Sequence, residues 1–244
     1  MFAAKNELFT RPSGYTISRS VRLRSSASAY FNRTPSSSGN QQKFTWSGWV
    51  KLGVLSANGT LFSTGAAPSA RFQINTASNA LEVAYNDSAS WVLDVTTNAV
   101  YRDPSAWYHV VVAVDTTQAT ATNRVLIYVN GALSLYTGTN ASLNLSTNVN
   151  TAVSHSIGRL GNGTAFFDGY LTEINFIDGQ ALTPSSFGET NAVTGVWQAK
   201  KYSGTYGTNG FYLNFSDNSA ATAAAIGKDY SGNGNNWTPN NISV

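Results

Sequence analysis

Few residues in this 244-residue chain can move protons or attack a substrate. There are twelve acids, two histidines and no cysteine. Without cysteine the chain has no disulfide, no thiolate zinc site and no thiol nucleophile. His109 falls inside an apolar run, Trp107 to Val114, and reads as a buried histidine with its hydrogen bonds satisfied. Ser154 adjoins His155, but neighbouring residues on a strand point to opposite faces, so the pair is not a nucleophile and its base. The chain has no Gly-x-Ser-x-Gly elbow. Gly161-Asn162-Gly163 lacks the lysine and the strand-to-helix setting of a phosphate loop and reads as a turn. No catalytic residue is assigned, and the chain reads as a binding or structural module and not an enzyme.

Binding chemistry is better represented. A sugar site needs an aromatic face for the apolar side of the ring, with amides or carboxylates for the hydroxyls. Tyr85, Trp91, Tyr101, Tyr136, Trp197, Tyr206 and Trp237 all fall near turn residues, with many asparagines close by. Tyr85-Asn86-Asp87 with Trp91 forms the preferred carbohydrate cluster, since it reads as one turn carrying both residue types. Aromatic residues in a sandwich otherwise serve packing. Calcium is the one cofactor that the acids suggest, as an optional ligand. Asp168, Asp217 beside Asn218, and Asp229 near Asn233 are its candidate ligands. Calcium takes six to eight oxygens, and no complete ligand spacing is present. Asp229 equally suits a turn closed by its own side chain.

The elements that would position these groups are short strands. Phe44–Val50 and Leu81–Tyr85 alternate and are rich in strand formers. Trp107–Val114 is apolar on both parities, as a central strand covered on both faces would be. Val125–Val129 ends in Asn130-Gly131, a strong hairpin signal because both residues tolerate positive φ. Further strands are expected at Ser154–Arg159, Gly169–Ile177 and Gly210–Phe215. Helix is scarce: Thr183–Phe187 predicts one turn with Pro184 at its first position, and Ala220–Ile226 is too short to stand alone. Many short strands between Gly, Asn and Ser turns make the fold class all-β, a sandwich or a barrel. The expected organisation is an N-terminal arm over 1–16, a sandwich over 17–189, and a C-terminal loop and strand over 190–244 that packs back on it.

Charged residues make up only 11% of the chain, against ~25% in ordinary soluble proteins. Polarity comes from Ser, Thr, Asn and Gly, which suits a durable extracellular or particle-bound surface. The charge is uneven. Residues 1–43 hold Lys5, Arg11, Arg19, Arg22, Arg24, Arg33 and Lys43 against Glu7 alone, while the remainder is net acidic. A basic arm can lie in solvent or dock on an acidic partner; no nucleic-acid motif accompanies it, so nucleic acid is not expected. No stretch approaches the ~18 apolar residues of a membrane span. Residues 1–16 contain no apolar h-region, so no signal peptide is expected. Triplets such as Asn58-Gly59-Thr60 and Asn162-Gly163-Thr164 then follow from composition and not from glycosylation.

Three groups of segments together resemble the laminin-G-like, concanavalin A-like lectin jelly roll. They are Ser20–Asn32 with Phe44–Lys51; Trp107-Tyr108-His109-Val110 with Val125–Gly131; and Ile157-Gly158-Arg159, Phe167–Ile174 and Ala181-Leu182-Thr183. The match spans about residues 20–188. Gly210–Asn218 and Lys228–Asn236 resemble a strand and Gly/Asn loop that often open such domains, yet here they follow it. This order, with the low charge, is similar to laminin-G-like proteins of tailed bacteriophages. The resemblance implies a virion-surface protein made in the host cytoplasm: a fibre, spike or capsid component that touches host polysaccharide. The arm would hold it to other virion proteins, and a fibre or spike would be a homo-oligomer. The alternative is a purely structural decoration or connector protein. The fold also hosts glucanases, whose E-x-D-x-x-E strand sets two carboxylates about the glycosidic bond. Glu173-Ile174-Asn175-Phe176-Ile177-Asp178 departs from that pattern at its second and third acids, which leaves a degenerate glycoside hydrolase as the third reading.

Overall fold

Alternating apolar residues on short strands leave two sheets that must each cover one face. A computed structural model describes residues 14–55, 58–65, 68–74 and 78–244. Its strands, in chain order, are β1 (Val21–Leu23), β2 (Tyr30–Arg33), β3 (Lys43–Leu52), β4 (Gly59–Thr64), β5 (Ser69–Ile74) and β6 (Ala80–Asn86). Then follow β7 (Trp91–Val100), β8 (Tyr108–Asp115), β9 (Val125–Val129), β10 (Ala132–Leu133), β11 (Tyr136–Thr139) and β12 (His155–Ile157). The last are β13 (Gly169–Asp178), β14 (Gly188–Thr190), β15 (Trp197–Ala199), β16 (Phe211–Leu213) and β17 (Thr238–Asn240). One sheet has seven strands in the order β1-β13-β3-β8-β9-β10, with β16 also on β13; the other has eight, β11-β7-β6-β5-β4-β12-β2-β17. The pair β14-β15 stands apart. The fold is thus an all-β antiparallel sandwich.

The core lies between the sheets and is strongly aromatic. Phe62 stacks on Phe72 and Phe176, with centroids 5.4 and 5.8 Å apart, and Phe176 on Phe211 at 5.7 Å. Trp237, near the end of the chain, meets Phe211 edge-on at 4.8 Å and is almost fully buried. Removing a buried side chain of this size costs about 3–5 kcal/mol, so residues late in the sequence are structural. A hydrogen-bond knot centred on Asp229 holds them. Its carboxylate accepts N–H groups from Tyr212, Ser231 and Asn235 and the Ser231 hydroxyl.

Several expectations meet the structure closely. Asn130 and Gly131 adopt φ of 49° and 82° and join β9 to β10. Pro184–Ser186 is a single 3₁₀ turn, though Thr183 makes no side-chain cap to it. Strands β4, β5, β7 and β11 were not expected; they are short or polar on one parity, which mutes the periodic signal. Among the described residues no helix is long and apolar enough to cross a membrane.

The outer face of the seven-stranded sheet is half covered, which explains the two-sided apolar pattern of β8. Val110, Val112 and Val114 face the core, while Val111 packs with Ile177 and Phe187 beneath the segment 182–206. His109 lies between Trp49 and Trp197, at centroid distances of 5.1 and 5.9 Å. The Trp197 indole donates to His109 Nδ1 at 3.0 Å, and Ser47 Oγ lies 2.9 Å from Nε2. An indole N–H can only donate, so His109 is neutral and carries its proton on Nε2. His155 has the opposite tautomer. Its Nδ1 faces the Val153 carbonyl at 2.8 Å, and its Nε2 accepts the Asn150 N–H at 3.0 Å.

Burial pushes His109 down to about 3 and His155 down to about 4, from an ordinary 6.5. Both stay neutral in the folded chain while the unfolded chain takes up protons below pH 6.5. Their contribution is full above pH 6.5 and is lost as pH falls towards 4, by about 1 kcal/mol per pH unit for each site. Urea unfolding of wild type and His155→Gln between pH 7.5 and 4.5 measures this. The stability difference between them shrinks as pH falls, because only the wild type carries the second buried imidazole.

Candidate functional site

Along a strand, alternate residues share a face, so the register assembles the polar outer surface of the eight-stranded sheet. Arg71 pairs with Ala84, and Ala84 with Asp94; one step along, Gln73 pairs with Glu82, and Glu82 with Thr96. Thr139 of β11 completes the first row beside Asp94, and Thr137 the second beside Thr96. Ala84 sits at the centre and leaves the row low there.

Glu82 is buried and fixes Arg71. The guanidinium reaches Glu82 Oε1 from Nε at 2.7 Å, while Gln73 donates to Oε2 at 3.1 Å. Thus held, Arg71 lies over the Trp91 ring at 4.1 Å from its centroid. Cation–π stacking of this kind fixes an indole that would otherwise swing freely. The guanidinium takes one side of the ring, and Trp91 remains 40% exposed. Asp94 stands beside this pair, half-exposed, and its side chain has no hydrogen-bond partner among the described residues. Burial raises its carboxyl above the ordinary value; Glu82 adds to the rise and Arg71 opposes it. An exposed indole, a fixed guanidinium and a free carboxylate on one rigid sheet can stack a sugar ring and bond its hydroxyls.

The turn expected to carry the site is its support. Asn86 Oδ1 accepts the Ser88 N–H, and Asp87 Oδ1 accepts those of Ala89 and Ser90. Those N–H groups hold the Asp87 carboxyl below its usual range. They close the β6-β7 hairpin and set the entry of Trp91. Tyr85 corrects the expectation: it is 6% exposed and belongs to the core, because it alternates inward with Val83. Among the other candidate aromatics, Tyr101 and Trp237 are buried. Tyr136 bonds the Val125 carbonyl, Trp197 covers His109, and Tyr206 bonds Asn175. Arg71, Gln73, Glu82 and Asp94 were missed. The alternations Arg71-Phe72-Gln73-Ile74 and Leu81-Glu82-Val83-Ala84-Tyr85 were the signals that place Arg71, Gln73 and Glu82 on an outer face.

The three aspartates considered for calcium stay apart, and each is engaged. Asp168 pairs with Arg22 at 2.6 Å and accepts the Ser25 N–H and hydroxyl. Asp217 accepts the N–H and hydroxyl of Ser219, and Asp229 holds its knot. Among the described residues no three acids or histidines gather where a metal would need them. Asp168, Asp217 and Asp229 therefore do not form one shared ligand set among the described residues.

Nor does β13 present a glycosidase pair. Glu173 is buried and has φ of 52°, at a bulge where the β3 register shifts between Thr172 and Asn175. Its Oε2 accepts the hydroxyls of Tyr212 at 2.7 Å and Tyr15 at 2.9 Å, which are themselves 2.6 Å apart. Burial pushes the Glu173 carboxyl up, against those two hydrogen bonds. Asp178 meanwhile accepts from Asn40, Asn150 and Asn209. Tyr212→Phe should destabilise the fold by about 1–3 kcal/mol, since it strips a donor from a buried carboxylate. Tyr15→Phe should cost less, because Tyr15 is half-exposed; urea unfolding of the two variants ranks them.

A family model for the concanavalin A-like lectin/glucanases superfamily, of laminin-G type, matches residues 24–186. No curated protein sequence matches the chain. Among solved structures, a candidate carbohydrate-binding protein from Bacteroides ovatus ATCC 8483 superposes with a TM-score of 0.62 at 20% identity. That alignment covers 94% of this chain and 60% of the other, so the chain spans about three-fifths of that protein's length. The native heptameric SAP-like pentraxin from Limulus polyphemus gives 0.48 at 13% identity, over 77% and 88% of the two chains. The CBM40 of the Ruminococcus gnavus IT-sialidase, bound to α2,3-sialyllactose, gives 0.43 at 12%, over 63% and 87%.

Proposed function

Since the chain belongs to the concanavalin A-like lectin/glucanases superfamily through residues 24–186, we propose that it is a lectin-like module without catalytic activity, taking carbohydrate on the Trp91 face. One observation carries this reading: an exposed indole stacked on a fixed arginine, beside Asp94, whose side chain makes no hydrogen bond among the described residues, on the polar face of a rigid sheet. The burial of Glu173 supports the non-enzymatic part of it and weighs against the degenerate glycoside hydrolase. The engaged aspartates support binding that needs no calcium.

The setting in this reading is the surface of a bacteriophage virion, as a fibre, spike or capsid component that meets host polysaccharide. Low charge and the late strand and Gly/Asn loop support it. The arm over residues 1–16 serves as the tether to other virion proteins. Residues 1–13 lie outside the described residues; Tyr15, at the end of the arm, is anchored on Glu173. A second reading, a purely structural decoration or connector protein, draws on Leu133 in the edge strand β10 and Leu135 just after it, which are 52% and 69% exposed.

Binding to a panel of bacterial surface polysaccharides, with calcium and with chelator, tests the proposal. The expected result is selective binding that survives chelation and falls roughly tenfold or more in Trp91→Ala, as for loss of a stacking anchor. Absence of binding to every polysaccharide would favour the decoration or connector reading. Glycan cleavage would restore the hydrolase.

A further inference from the structure

The opposite side of the molecule carries a second, chemically different cleft. Between the segment 17–20 and the outer face of the seven-stranded sheet lies a space of about 410 Å³, bounded by Trp49, Trp107, Thr172, Ser18, Arg19 and Ser20. That volume falls within the range of small-ligand sites. Register makes this cleft. Thr172 pairs with Trp49, so both project from the same face, and the Thr172 hydroxyl donates to the Arg19 carbonyl at 2.7 Å. This bond holds the backbone of residue 19 over the sheet.

One wall of the cleft supplies a guanidinium that forms no ion pair among the described residues. It belongs to Arg19, which is exposed. The Trp49 indole N–H is buried and has no acceptor. Trp46 and Trp237 share that lack; the Trp49 ring borders the cleft, but its N–H is fully buried and does not open into it. A guanidinium can only donate, while the Ser18 and Ser20 hydroxyls adapt to either role. The nearby acids are occupied: Asp168 by Arg22, and Glu173 by its two tyrosines. The cleft is therefore rich in donors, free of available carboxylate, and walled on one side by the half-buried Trp107.

We propose that this cleft is a second saccharide site, selective for an acidic sugar. Trp107 would take the apolar face of the pyranose, Arg19 its carboxylate, and the serines its hydroxyls. A neutral sugar would leave the guanidinium without its charged partner. A simple carboxylate would leave the indole wall without a ring. The site lies on the other sheet from Trp91, so it stands or falls independently of the glycan face proposed above.

Tryptophan fluorescence of the full chain, titrated with glucuronic acid, glucose and acetate, tests it. Saturable binding of glucuronic acid is expected, weakened roughly tenfold or more in Arg19→Ala and in Trp107→Ala, as for loss of a charge-assisted bond or an aromatic anchor. Trp91→Ala should leave it unchanged. Arg19 is exposed, so its replacement does not threaten folding. The proposal fails if glucuronic acid gives no saturable change, if glucose or acetate binds as tightly, or if Trp91→Ala weakens binding while Arg19→Ala does not.

Discussion

One extra residue in β13 organises the seven-stranded sheet. At Glu173 the strand bulges, and β13 divides into two registers against β3. Its other edge is divided in the same place: β1 pairs with Gly169–Leu171 before the bulge, and β16 with Ile174–Phe176 after it. Strands from the two ends of the chain therefore share one edge. A non-glycine residue at positive φ is disfavoured; the two tyrosine hydroxyls donated to the Glu173 carboxylate offset that strain and the cost of its burial. The same bulge allows Thr172 to hold residue 19 above the outer cleft.

The sheet faces then differ in availability, and that difference separates packing from binding. On the seven-stranded sheet the segment 182–206 covers half the outer surface and forces His109 to remain neutral between two indoles. On the eight-stranded sheet the described residues leave Trp91 exposed, and its order comes from Arg71 and Glu82. A buried carboxylate fixes a guanidinium, and the guanidinium fixes an indole. Each step lowers the conformational entropy that binding would otherwise have to remove.

Calcium and paired-acid chemistry meet the same obstacle. The acids of this chain are few, and turns, arginines and tyrosines consume many of them among the described residues. Asp87, Asp217 and Asp229 close loops; Asp168 and Glu82 hold arginines; Glu173 holds the two ends of the chain together. Asp94, on the outer face of the eight-stranded sheet, has no side-chain hydrogen bond among the described residues. A chain so poor in charge uses its carboxylates first as structural acceptors.

The all-β class, the β9-β10 hairpin and the buried strand β8 were legible in the sequence, because they rest on local rules: side-chain period, positive-φ tolerance at Asn130-Gly131, and the apolar run around Val110–Val114. The turn over residues 86–90 was legible for the same reason. Tertiary structure alone decided the rest. Tyr85 and Trp91 are both aromatics flanking one turn, yet strand parity across the β6-β7 hairpin sends the first into the core and leaves the second outside. Arg71 reaches Trp91 from a strand twenty residues earlier, through a register that only the assembled sheet sets. Trp237 becomes core because β16 and β17 join opposite sheets, a pairing of distant segments that no local pattern encodes.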